Sequence, residues 1–182
     1  MDTTLQPAAE PAIPLEAAFR AAMRRLAATV TVISTRSESG LRHGMTATAV
    51  TSVSADPPAV LTCVNRSAAL HAQLGLGRRI CINLLHCSQQ RLSEVFSGAV
   101  EGEARFAEGE WLSDADGVPY LADAQANIFC EVEALHAYGT HSICIGRVVR
   151  VMCRPDVAPL VYQDGAYMCT GPLTGPLATP QE

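Results

Sequence analysis

The sequence predicts a mainly β domain with a few short helices, rolled into a small closed barrel. Three observations carry this expectation. β-Branched and alternating apolar runs recur along the chain and outnumber helical patterns. The runs come at short spacings with turn residues between them, as small barrels require. The regular βαβ alternation of a doubly wound sheet is missing. The chain has 182 residues, enough for one domain with a real core.

Pro7, Pro11 and Pro14 mark residues 1–14 as a flexible N-terminal arm, so the domain is expected over 15–170. A helix starts near Leu15, because Leu15, Ala18, Phe19, Ala22, Met23 and Leu26 recur at three- and four-residue spacing. Glu16 in its first turn and Arg24-Arg25 in its last suit the helix dipole. Thr29 to Thr35 is a β-branched run. Gly44 to Asn65 is apolar but rich in Thr and Ser, and Asp56-Pro57-Pro58 breaks it. It reads as two strands and a turn, with Ala59 to Val64 as the second strand. Arg79 to Leu85 is a further strand. Short helices are expected on either side, at Ser67–Leu74 and Ser88–Phe96, with Ser67 and Ser88 as N-caps.

Alternation from Ala126 to Ala134 runs through Ile128, Cys130 and Val132. His141 to Met152 repeats it, with Ile143, Ile145, Val149 and Val151 on one face. Leu160-Val161-Tyr162 and Ala166-Tyr167-Met168 flank Asp164-Gly165. That is a hairpin signal, since Gly accepts the positive φ of tight turns. Pro, Gly and Thr then predict a flexible tail over 171–182.

Charged residues make up 17% of the chain and the net charge is −5, which argues against broad nucleic-acid binding. Arg78-Arg79 remains a local cationic spot. Seven cysteines are scattered without a Cys-x-x-Cys pair, which speaks against a zinc ribbon or a thioredoxin motif. Most are expected to act as small buried hydrophobes in a reducing, cytoplasmic setting. The N-terminal residues lack the pattern of a secretory signal, and no stretch is apolar enough to span a bilayer. No metal site, membrane partner or nucleic-acid partner is therefore expected.

A Rossmann fingerprint is absent: Gly75-Leu76-Gly77 comes closest, but Ile80 stands where the third glycine belongs. Walker, His-Glu-x-x-His and Gly-x-Ser-x-Gly motifs are absent too. Three segments could carry chemistry. Gly44 to Ser52 gathers small and hydroxyl residues, which let a flat ligand approach the backbone. An ordinary Thr-rich strand is the plainer reading. Asn65-Arg66-Ser67-Ala68-Ala69 enters a short helix and offers a phosphate seat, or simply a capped helix start. Gly139-Thr140-His141 joins two long strands, with a histidine that can donate near neutral pH or merely sit on an exposed turn. His43, His71, His86 and His136 read as surface or packing residues.

Taken in order, these segments resemble the short-chain flavin reductases of two-component monooxygenases. The matching stretches are FRAAMRRLAATVTVIST, GMTATAVTSVSADPPAVLTCVNRS, CINLL followed by Gln89 and Phe96, ARFAEGEW, the strand ending in GTH with IGRV downstream, and PLVYQDGAY. They cover about Phe19 to Met168. The resemblance implies a split β-barrel of the flavin reductase or FMN-binding type and a homodimer. It also implies NADH-dependent reduction of FMN, or of FAD, with reduced flavin diffusing to a partner monooxygenase. It places Thr46, Ala47, Thr48, Ala49, Val50 and Thr51 along the flavin ring. Asn65, Ser67 and Ala68 fall at its ribityl and phosphate groups, and Asn83, Leu84, Leu85 and Gln89 beside its tail. The resemblance also implies that His141 is the catalytic residue, at the place where the nicotinamide would stack. Thr140 departs from the family's commoner Gly-Asp-His. A flavin-retaining corrinoid (cobalt) reductase and a non-catalytic flavin-binding protein stay open as alternatives.

Overall fold

In the computed structural model, which describes residues 13–172, a seven-stranded antiparallel sheet organises the molecule. Helix α1 is Leu15–Met23. Strands β1 and β2 are Ala28–Thr29 and Thr31–Arg36, followed by β3 (Arg42–Ala47), β4 (Val50–Ala55), β5 (Pro58–Asn65) and β6 (Arg79–Leu84). Helix α2 is Gln90–Glu94. Then come β7 (Trp111–Ser113), β8 (Pro119–Leu121), β9 (Ala126–Tyr138), β10 (His141–Cys153), β11 (Leu160–Gln163) and β12 (Ala166–Cys169). The large sheet runs β3-β2-β6-β9-β10-β5-β4, with separate sheets β1-β11-β12 and β7-β8.

The chain is thus mainly β with a few short helices, as its pattern predicts. The barrel is split, as the resemblance implies, and not closed, as the strand spacing alone suggests. The edge strands β3 and β4 are linked through Thr48-Ala49 rather than paired with each other, which leaves the barrel split. Gly44 to Asn65 holds parts of three strands rather than two, because Thr48-Ala49 is itself a break and β4 pairs back onto β5 from Val50 opposite Thr62. The hairpin at Asp164-Gly165 is as expected: φ is 49° and 86° at the two positions, and Tyr162 pairs with Tyr167.

The two expected serine caps are not caps. Around Ser67 only a 3-10 turn forms, over His71–Gln73. Helix α2 begins after Gln89, and the Ser88 hydroxyl instead meets His86 Nδ1 at 2.8 Å. Helix α1 stops at Met23, and Arg24 leaves it to pair with Asp164 at 3.0 Å. On β10 the smaller residues face the core. Ser142, Cys144 and Gly146 are buried, while Ile143 and Ile145 are half-buried and Val149 and Val151 exposed. Gly146 lies against the Cys130 side chain, where an added Cβ would come within 2.8 Å, so this face needs small residues. The arm over 1–14 and the tail over 171–182 fall almost wholly outside the described residues.

Two large apolar clusters and a smaller one of Cys81, Val118 and Phe129 fill the interior. One gathers Val30, Val32, Leu85, Leu92, Val95 and Phe96 with Phe106, and Trp111 packs on it. The Phe96 and Phe106 rings meet edge to face, 5.1 Å between centroids. The other gathers Ile33, Val60, Val64, Ile80, Ile82 and Val132. Only Cys81, Cys130 and Cys144 are buried cysteines; Cys63 and Cys87 are half-buried and Cys153 and Cys169 exposed. Loss of solvent pushes the Cys130 thiol up to about 12 and the Cys144 thiol up to about 11, so both stay protonated. The expectation that most cysteines are buried holds for three of the seven.

Candidate functional site

Gly139-Thr140 is a two-residue turn between β9 and β10, with Tyr138 opposite His141 and Gly139 at φ 55°. On its other side His141 faces Asn65, the last residue of β5. The chain leaving β5 stays beside the turn, because the Arg66 N–H donates to the Thr140 carbonyl at 2.9 Å. Sheet register thus brings together two segments that lie about seventy residues apart in sequence.

Between them lies an open cleft of about 780 Å³ lined by Asn65, Arg66, Ser67, His71, Gly139 and Thr140. Asn65 Oδ1 accepts both the Ser67 N–H at 3.0 Å and the Ser67 hydroxyl at 2.9 Å. This asparagine-centred turn, not a helix N-terminus, fixes Ser67. Arg66 is exposed and forms no ion pair with another described residue. His71 Nε2 lies 2.9 Å from the Ser142 hydroxyl, so His71 belongs to the cleft rather than to featureless surface. Thr140 Oγ1 lies 2.9 Å from His141 Nδ1, which leaves Nε2 of the exposed His141 ring free to contact a ligand.

Residues 46–51 do not present one uniform surface. The Thr46 hydroxyl donates to the Ser93 carbonyl at 2.7 Å, and Thr46 borders a small cleft with Ala68 and Phe96. Ala47 is buried, and its carbonyl accepts from Thr31 Oγ1 at 2.7 Å. Thr48 and Ala49 are exposed and border an apolar cleft of about 590 Å³ with Met23, Leu26, Ala28 and Tyr162. Val50 is half-buried and Thr51 exposed. Gly44 is small for a reason unrelated to a ligand: a Cβ there would come within 2.6 Å of the Phe96 ring.

The third predicted group has a structural role instead. Asn83 is fully buried. Its amide donates to the Val32 carbonyl at 2.8 Å and Ser34 Oγ at 2.9 Å, and its Oδ1 accepts from the Leu121 N–H at 2.8 Å and Asn127 Nδ2 at 2.9 Å. No polar atom of that side chain is left for a ligand. Leu85 sits in the core, with Leu84 half-buried beside it. Gln89 is spent on the His86 N–H at 2.8 Å and the Asp123 carbonyl at 3.1 Å. Strand β6 is buried from Ile80 to Asn83, so the side chains there pack inside the molecule.

Other cationic and aromatic candidates are equally committed. Arg78 reaches the Arg36 carbonyl at 3.0 Å and Glu38 at 3.7 Å, and Arg79 lies between Asp116 and Glu131. The Tyr167 hydroxyl meets Ser93 Oγ at 2.9 Å. Sequence reasoning placed Arg66 in the phosphate-seat segment without giving it a role, and read His71 as a surface or packing residue. Their nearness to Asn65 and Ser67 was the one available signal.

Comparisons with known proteins agree with this architecture. The sequence pattern of the flavin reductase like domain matches residues 23–171. The reductase component of the FADH(2)-dependent resorcinol hydroxylase of Rhizobium sp. (strain MTP-10005) is 44% identical over 155 residues, covering 85% of this chain and 87% of that protein. An FMN reductase (NADH) of Pantoea ananatis is 39% identical over 149 residues, covering 82% and 78%. Among solved structures, the NADH:FAD oxidoreductase SgcE6 of Streptomyces globisporus, in complex with NAD and FAD fragments, superimposes with a TM-score of 0.79 at 26% identity, covering 87% of this chain and 94% of that one. The domain match spans nearly all the described residues, and on that ground the chain belongs to the flavin reductase-like family.

Proposed function

We propose that this protein is an NADH-dependent flavin reductase, which passes a hydride from the nicotinamide to FMN and releases reduced flavin to a partner monooxygenase. One observation carries the reading. Asn65, Arg66 and Ser67 share a cleft with His71, Gly139 and Thr140, His141 pairs with Asn65 beside it, and this cleft holds a cation with no ion-pair partner among the described residues. An exposed guanidinium and a serine hydroxyl suit a phosphate group. The small exposed side chains of Thr48, Ala49 and Thr51 leave room for a flat ring beside the backbone. The names of the two curated relatives support the same chemistry: one is FADH(2)-dependent, the other an FMN reductase using NADH.

The cofactors carry the redox chemistry, so this chain has to bind and orient. In this reading Arg66 and Ser67 hold the flavin phosphate, Asn65 and Ala68 flank the ribityl chain, and residues 46–51 support the ring. Thr140 holds Nδ1 of His141, so that Nε2 can hydrogen-bond the nicotinamide carboxamide or the dinucleotide phosphates. FMN is preferred over FAD, and NADH is the donor. The assembly is a homodimer, for which the exposed apolar residues Leu15, Phe19 and Met23 of α1 offer a surface.

Titration of FMN into the wild type and two variants tests the site. Ser67→Ala removes a hydrogen bond to a charged group, about 1.5–3 kcal/mol, or roughly ten- to a hundredfold in affinity. Ser67→Asp sets a carboxylate against phosphate and should bind more weakly still. Wild-type FMN affinity in Ser67→Asp would remove this residue from the site.

A further inference from the structure

His71 stands four residues after Ser67, half-buried at the start of the 3-10 turn, and lines the cleft with Asn65, Arg66, Ser67, Gly139 and Thr140. Its backbone is held on both sides. Its N–H donates to the Ala68 carbonyl at 2.9 Å, and its carbonyl accepts from the Leu74 N–H at 3.1 Å. The preceding residue, Leu70, is buried in the core with Val64. The ring is pinned from β10. Nε2 lies 2.9 Å from the hydroxyl of Ser142, which is buried opposite Val64 of β5.

Other polar groups of the cleft are already engaged. Ser67 donates both its N–H and its hydroxyl to Asn65 Oδ1, and the Thr140 hydroxyl meets His141 Nδ1. Besides the Asn65 amide, free side-chain donors remain on Arg66 and His71. Nδ1 of His71 has no hydrogen-bond partner among the described residues, because only Nε2 is taken. The tautomer follows from that contact. A serine hydroxyl can donate as well as accept. Ser142 Oγ has no second partner among the described residues, so its proton is available to Nε2. When Ser142 donates, the ring hydrogen sits on Nδ1, the nitrogen left to the cleft.

We propose that His71 is a ligand of the flavin phosphate and that Ser142 is its positioning residue. The assignment rests on the reading of this cleft as the flavin phosphate seat. The Nδ1–H of His71 donates to one phosphate oxygen, while the Arg66 guanidinium binds others and offsets the charge. A neutral imidazole is enough for this task. Ser142 never touches the ligand. It fixes the plane of the ring and keeps the hydrogen on the nitrogen that faces the cleft. Ser67 has to turn its hydroxyl away from Asn65 to reach a phosphate, whereas the His71 donor is unengaged from the start. The cleft therefore distinguishes FMN from riboflavin, which lacks the phosphate, and His71 carries part of that distinction.

Fluorescence titrations of the full chain with FMN and with riboflavin test the assignment. The wild type should bind FMN more tightly than riboflavin. His71→Ala should weaken FMN binding about tenfold, the loss of one hydrogen bond to a charged group, and leave riboflavin binding nearly unchanged. Ser142→Ala should weaken FMN binding about threefold, again with little effect on riboflavin. His71→Asn, whose amide can donate near the Nδ1 position, should recover part of the loss and controls for a hole left by Ala. Equal loss for both flavins in these variants, or wild-type FMN affinity in His71→Ala, would overturn the assignment and leave His71 as the group that satisfies the buried Ser142 hydroxyl. NADH turnover separates that result from the flavin reading itself. If the wild type binds and reduces riboflavin as well as FMN, the reductase reading stands and the phosphate assignment falls.

Discussion

His141 shows how little a single residue reveals until its neighbours are known. In sequence it is a histidine after a turn. In the fold it sits opposite Asn65, with Thr140 Oγ1 2.9 Å from one ring nitrogen and the other nitrogen free. Its side chain can therefore steer a second ligand without holding the first. Replacing His141 with Ala should slow NADH oxidation about a hundredfold, since a small misplacement of the donor has that effect. FMN affinity should change much less, because the phosphate and ring contacts come from other segments. Parallel loss of FMN binding and NADH use in steady-state and titration measurements would make His141 a flavin ligand instead. Asn83 is the opposite case. Its place in a matching motif suggested a ligand contact, yet all its polar atoms are used inside the sheet.

At the level of elements, turn chemistry was more legible than faces. The Asp164-Gly165 hairpin follows from two residues, because few pairs accept positive φ twice. Gly165, at φ 86°, also lies against the Arg24 guanidinium, which an added Cβ would approach to 2.7 Å. Gly165→Ala should therefore cost about 1–2 kcal/mol of stability by urea unfolding. An unchanged midpoint would mean that the hairpin relaxes at no cost.

Strands β5, β6, β9 and β10 were each legible from alternation or β-branched runs. What alternation could not give was which side of β10 faces the core. There the interior selects small residues, Ser142, Cys144 and Gly146, while larger Ile and Val lie outward. Likewise, Ser67 carries a cap-like pattern but serves a turn built by Asn65, since only a 3-10 turn follows. The cleft was half-readable: its two segments stood out in sequence, but their adjacency comes from the β5–β10 register, a long-range pairing that no local pattern encodes.

At the scale of the whole molecule, the apolar face of α1 lacks a partner among the described residues. Leu15 is 78% and Phe19 60% exposed, although the helix has the spacing of one that packs. Pairing with a second copy would cover that face. Light scattering should report a dimer for the wild type, and Phe19→Glu should shift it towards monomer. A wild-type monomer would leave the face for another partner.

The central claim is that flavin passes through this protein as a substrate. Purified protein with NADH and a large excess of FMN tests it most directly, with NADH absorbance and oxygen uptake followed together. The account predicts NADH consumption many times over the amount of protein, rising with added FMN and matched by reduced flavin delivered to oxygen. Consumption that stops after one equivalent, or that ignores added FMN, would contradict it.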